Sequence, residues 1–111
     1  MAFVKIGPAS ALPDGETMEA VVEGRAYAVC NAGGALYCLD GECPCTGGPL
    51  SKGVIRQGRL VCPWHNGRFD CRTGICADNG DIRIPMFPVK IERDDIYIDV
   101  SRPLASEPGV A

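Results

Sequence analysis

Histidine and tryptophan each occur once in this chain, as the neighbours Trp64 and His65, and aromatic residues make up only 6% of its 111 positions. A single imidazole leaves no Ser-His pair and no matched acid-base couple on which an enzyme active site would turn. A basic excess is missing too, since 11 Lys and Arg against 14 Asp and Glu give a formal charge of −3. With no cationic stripe for phosphates, binding to nucleic acid is not expected, whereas docking onto a basic protein surface is allowed. No segment approaches 18 uninterrupted apolar residues, so no membrane span is expected. The opening run Met1 to Pro8 lacks a charged region followed by an apolar stretch and a cleavage site, which reads as a soluble, cytoplasmic protein. Long runs of Leu, Ala, Glu or Lys are also absent, while 14 Gly and 9 Pro are scattered throughout. That balance disfavours helices and predicts an all-β domain of short strands and tight turns.

The turn signals divide the chain accordingly. Phe3 to Ile6 is expected as a strand ending at Gly7-Pro8, and Pro13-Asp14-Gly15 precedes the alternating run Thr17 to Val22. Glu23-Gly24 and then Ala32-Gly33-Gly34 turn the chain through Ala26 to Cys30 and Ala35 to Leu39, giving a meander. The Gly- and Pro-rich segment Asp40 to Leu50 interrupts it. Val54-Ile55 and Leu60-Val61 read as a small hairpin, and a last hairpin runs Phe87 to Arg93, turns at Asp94-Asp95 and returns over Ile96 to Val100. Val89, Ile91, Ile96, Ile98 and Val100 are expected on one buried face. One domain over 1–101 is predicted, with a frayed Pro- and Ser-containing tail at 102–111.

The seven cysteines stand at 30, 38, 43, 45, 62, 71 and 76, an odd number that does not suit a fully paired disulfide framework. Four ligand-type residues instead form the pattern C-x-C-x16-C-x2-H: Cys43 and Cys45 in one loop, Cys62 and His65 in the other. The hairpin 54–61 carries these loops at its two ends and so brings them together. Turning backbone lets both side chains of each loop face one centre, and its N–H groups can stabilise metal-bound thiolate. Such soft-to-borderline ligands select zinc or an iron-sulfur cluster.

Taken with its surroundings, this constellation resembles the Rieske-type [2Fe-2S] ferredoxins. Cys43-Pro44-x-x-Gly47, Leu50-Ser51-x-Gly53, Cys62-Pro63-Trp64-His65, Phe69-Asp70, Thr73-Gly74, Pro88-Val89-Lys90 and Asp95-Ile96-Tyr97 all match family positions, so the likeness spans nearly all of 3–100. The resemblance implies an all-β sandwich of small antiparallel sheets, a [2Fe-2S] cluster between two loops at one tip, and single-electron transfer without catalysis. The high-potential branch carries an extra Cys in each loop, where this chain has Gly48 and Trp64. That points to the soluble branch, monomers that pass electrons from a flavin-dependent ferredoxin reductase to the oxygenase component of aromatic-ring dioxygenases.

The departure from the family is Cys45, where the pattern has His. Carried over, Cys43 and Cys62 hold the inner iron, and His65 with Cys45 holds the outer one. Three thiolates and one neutral imidazole leave the oxidised centre one charge more negative than the ordinary pair-and-pair set, so the expected potential lies between Rieske centres and plant-type ferredoxins. His65 alone then supplies a pH-linked step.

The competing readings are a Cys3His zinc brace, or a cluster-free module of the kind found in small subunits of nitrite reductases. Cys30 and Cys38, in strands, are expected as small core hydrophobes. Cys71 and Cys76 are expected as solvent-facing loop thiols rather than a pair or an alternative ligand, Trp64 as a packing residue rather than a cover for the cluster rim or a docking contact, and Asp40, Glu42, Lys52, Arg56, Arg59, Arg68 and Arg72 as a solvated rim of mixed charge.

Overall fold

The expected meander forms the middle of the molecule. In the computed structural model, which describes residues 3–44, 47–64, 67–77, 79–101 and 103–104, strands β2 (Thr17–Val22), β3 (Arg25–Ala32) and β4 (Ala35–Asp40) pair antiparallel in sequence order. Cys45, His65 and all but two residues of the expected tail lie outside the described residues. The fourth strand of this sheet, β8 (Met86–Phe87), pairs along β4. A second sheet joins β1 (Val4–Pro8), β10 (Asp95–Ile98) and β9 (Val89–Glu92), and a third joins β5 (Val54–Arg56), β6 (Arg59–Val61) and β7 (Arg68–Asp70).

Four of the hairpins close through two residues that both have positive φ: Glu23-Gly24, Gly33-Gly34, Gln57-Gly58 and Arg93-Asp94. That geometry matches the right-handed twist of the strands it joins, which is why Gly stands in three of the four. The last turn sits one residue earlier than the sequence suggested. Two further corrections concern strands. Phe87 was expected in the final hairpin but pairs with Cys38 in the central sheet, and Pro88 separates it from β9. Strand β7 was not anticipated because it holds a single apolar residue, Phe69; pairing with β6 creates it.

The central sheet is covered on both faces. Tyr27 and Val29 of β3, with Cys38 of β4, pack against Leu12, Ala20, Phe87, Ile96 and Ile98, and Tyr27 meets Phe87 edge-on at 5.3 Å. Ala28 and Cys30, with Leu39, face the other way into a core shared with the third sheet and the loops, including Leu50, Leu60, Phe69 and Ile84. Burial on both sides explains why β3 is apolar without alternation. Ile96 and Ile98 are fully buried as expected, but Ile91, on the edge strand β9, is 50% exposed.

Cys30 and Cys38 are core thiols, as their strand positions implied. Cys71 and Cys76 overturn the expectation of solvent-facing thiols, because both are buried in the core beneath the loops. The segment after β7 folds inward: Cys71 N–H donates to Gly58 at 3.0 Å and Cys76 N–H to Ile82 at 2.8 Å. Donation of its S–H to the Cys71 sulfur, together with burial, keeps Cys30 protonated. Burial, with the nearby Asp40 charge, pushes the Cys38 thiol up to about 12 from the usual value near 9. Above pH 9 the unfolded chain therefore releases a proton that the folded chain retains until about 12. Stability is expected to fall across that window by about 1.4 kcal/mol per pH unit for this thiol. Urea unfolding at pH 8 and pH 10.5 measures the loss, and Cys38→Ala should flatten the part of the slope that belongs to this group.

Candidate metal centre

The two ligand loops are built alike. Each begins on a cysteine immediately after a strand-bound segment, and each closes on a glycine five residues later: Cys43 N–H donates to Gly48 C=O at 2.9 Å, and Cys62 N–H donates to Gly67 C=O at 2.8 Å. In the first loop Gly47 N–H also returns to Cys43 C=O at 2.8 Å, with Gly47 at φ +77°, a conformation that a Cβ would strain. The loops are anchored from below. Glu42 and Pro49 bridge the neck of the first, Leu50 N–H donates to Gly41 C=O, and β6 and β7 flank the second.

Gly48 is where the loops meet. A Cβ there would stand 2.9 Å from Cγ of Trp64 and 3.1 Å from Sγ of Cys62. The indole therefore packs over the glycine of the other loop, as expected, while the residue remains 64% exposed. Cys43 and Cys62 are both buried, at 1% and 0% exposure, within one core cluster. Two buried thiols from separate loops, in one core cluster and with Gly48 against the sulfur of Cys62, are of the ligand type that an iron-sulfur cluster takes.

Asp40 also departs from expectation. It is buried, not part of a solvated rim, and its carboxylate accepts from the Arg25 guanidinium and from Glu42 N–H at 3.2 Å. Its own N–H donates to Pro85 C=O at 3.0 Å. These bonds fasten the end of β4, and with it the start of the first loop, to β3 and to the segment before β8. No sequence signal separated Asp40 from its exposed neighbour Glu42; only the approach of Arg25 across the sheet does so.

A pair of Cys-initiated loops closed on glycine, carried by a three-stranded sheet on an all-β base, defines an iron-sulfur domain. The profile of the Rieske [2Fe-2S] domain matches residues 2–88, and the chain belongs to that family. It is similar to the ferredoxin component of the naphthalene 1,2-dioxygenase system of Pseudomonas aeruginosa, at 35% identity over 92 residues, covering 81% of this chain and 88% of the relative. Apoptosis-inducing factor 3 of Homo sapiens is 40% identical over 70 residues, but the match covers only 12% of that protein's length. Among solved structures, the ferredoxin of Sphingomonas yanoikuyae B1 superimposes with a TM-score of 0.79 at 30% identity, covering 88% of this chain and 98% of that one. The fold, the [2Fe-2S] cofactor and the likeness to ferredoxin-type electron carriers thus stand as the sequence suggested. Among the described residues no helix is long and apolar enough to cross a membrane.

Proposed function

We propose that Cys43, Cys45, Cys62 and His65 hold the cluster, and that this chain carries single electrons from a flavin-dependent ferredoxin reductase to the oxygenase component of an aromatic-ring dioxygenase. The observation that supports the ligand assignment is the burial of Cys43 and Cys62 in one core cluster, each at the start of a like-closed loop. Cys45 and His65 follow from the ligand spacing, C-x-C and C-x2-H, on those same loops. When bound, the cluster supplies a store for one electron. The chain's own residues do the rest: the backbone closures fix the direction of each loop, Gly48 lets the loops approach, and Asp40 with Arg25 steadies the first. The likeness to a ferredoxin component of a dioxygenase system supports the choice of partners. A small, transient contact suits such an exchange, and the carrier acts as a monomer in the cytoplasm.

Purified protein is expected to be brown, to contain two irons and two sulfides per chain, to bleach with dithionite and to give a rhombic EPR signal when reduced. A colourless preparation holding one zinc, from cells grown with ample iron, would overturn the reading.

A further inference from the structure

The chain's net charge of −3 suggests a basic partner, but the fold does not spread its charges evenly. Beside the second ligand loop lies a groove of about 370 Å³ whose lining includes Lys52, Val54, Arg56, Cys62, Pro63 and Arg68. Among the described residues it contains three cations and no carboxylate. On the side of the first loop, a groove of about 470 Å³ is lined by Glu23, Asp40 and Glu42, with Arg25 as its one cation among the described residues. The loop-bearing end of the molecule is therefore polarised, positive toward the second loop.

The same positive side is also apolar. Val54, 49% exposed, lines the groove, and Trp64, 64% exposed, follows Pro63 at its edge with its ring against Gly48 of the first loop. Lys52 lies 3.7 Å from Glu19, but with both side chains largely exposed that contact is worth little and is readily exchanged. At contact range, within a Debye length of about 8 Å, nearby groups outweigh the summed charge of the whole chain. A rim of cations around exposed apolar side chains is the arrangement that steers and then holds a partner of opposite sign.

We propose that this groove is the docking surface for a protein partner whose contact face is acidic around an apolar centre. The proposal rests on the electron-carrier reading and names the chemistry of the partner's face. The groove includes Cys62, so a partner seated there lies against the cluster-bearing loop itself. The first-loop side, with its carboxylates, disfavours the same partner, which fixes the orientation of the encounter.

Trp64, the only tryptophan, stands next to Pro63 of the groove, and its emission reports on binding there. Its emission is titrated with a peptide of eight glutamates around one leucine, with a lysine peptide of the same design, and with a twelve-nucleotide oligothymidine. The glutamate peptide is expected to bind at least tenfold more tightly than the lysine peptide. Arg56→Glu should abolish that preference, while Lys5→Glu, which changes the net charge equally on the distant strand β1, should retain it. In the second arm, the reduced protein is oxidised by hexacyanoferrate(III). The rate should fall as salt is added, and with Arg56→Glu it should rise. A preference for the lysine peptide, equal responses of the two variants, or binding of the oligonucleotide in place of the glutamate peptide would overturn the proposal. Failure of the electron-carrier reading looks different: the protein would show no colour to bleach, and the fluorescence arm would still decide the docking surface.

Discussion

Cys45→His is expected to raise the midpoint potential of the cluster by roughly 100 mV or more. The range for plant-type centres, with four thiolates, lies near −400 mV, and the low end for Rieske centres, with two, near −150 mV. Exchanging one thiolate of the proposed three for an imidazole removes one negative charge from the ligand set and should cover about half of that interval. The physical cause is electrostatic: an incoming electron meets a neutral oxidised centre in the variant and a singly negative one in the natural chain. Square-wave voltammetry on both proteins under one buffer and salt condition measures the difference. An unchanged potential would mean that Cys45 does not ligate iron.

The second large effect is expected at Gly48. A single methyl at that position would press against the indole of Trp64 at 2.9 Å and the sulfur of Cys62 at 3.1 Å, and the sulfur has no freedom to retreat from a bound iron. Overpacking of this kind costs about 1–3 kcal/mol. Gly48→Ala should therefore bind iron and sulfide at well below stoichiometry, and Gly48→Val should bind none while retaining its β-rich circular dichroism. Combining Gly48→Ala with Trp64→Ala relieves the contact with the indole but not the one with the sulfur, so only partial recovery is expected. Full cluster content in Gly48→Val would refute the account of the two loops meeting at this glycine.

The contrast between these two positions bears on what could be read in advance. Cys45 stood out because ligand chemistry is carried by residue type and spacing, which are visible in a linear chain. Gly48 lay in plain view but without a role, since its closeness to Trp64 and Cys62 joins segments that only folding brings together. The hairpin turns at Glu23-Gly24 and Gly33-Gly34 were legible for the same reason as Cys45: adjacent residues impose the backbone conformation. Strand β7 was not, because three residues with one apolar side chain have no periodicity to detect.

Cysteine burial shows where inference from neighbours fails. Cys30 and Cys38 lay in apolar strands and were read as core, whereas Cys71 and Cys76 lay among Thr, Gly and Asp and were read as surface. Both pairs are buried, because the turn at Thr73-Gly74 carries the second pair under the loops, where Gly74 N–H donates to Asp70 C=O at 2.7 Å and Ile84 N–H to Gly74 C=O at 2.8 Å.

By itself, then, the sequence determined an all-β domain, the two Cys-initiated loops and the family they mark, since turn preference and ligand type are properties of short contiguous segments. Tertiary structure alone decided that Asp40 is buried against Arg25 and that the central sheet is covered on both faces. It alone also decided that Lys52, Arg56 and Arg68 gather on one side of the loops while carboxylates gather on the other. A net charge is a sum over the chain, and it carries no information on where the fold sets each term.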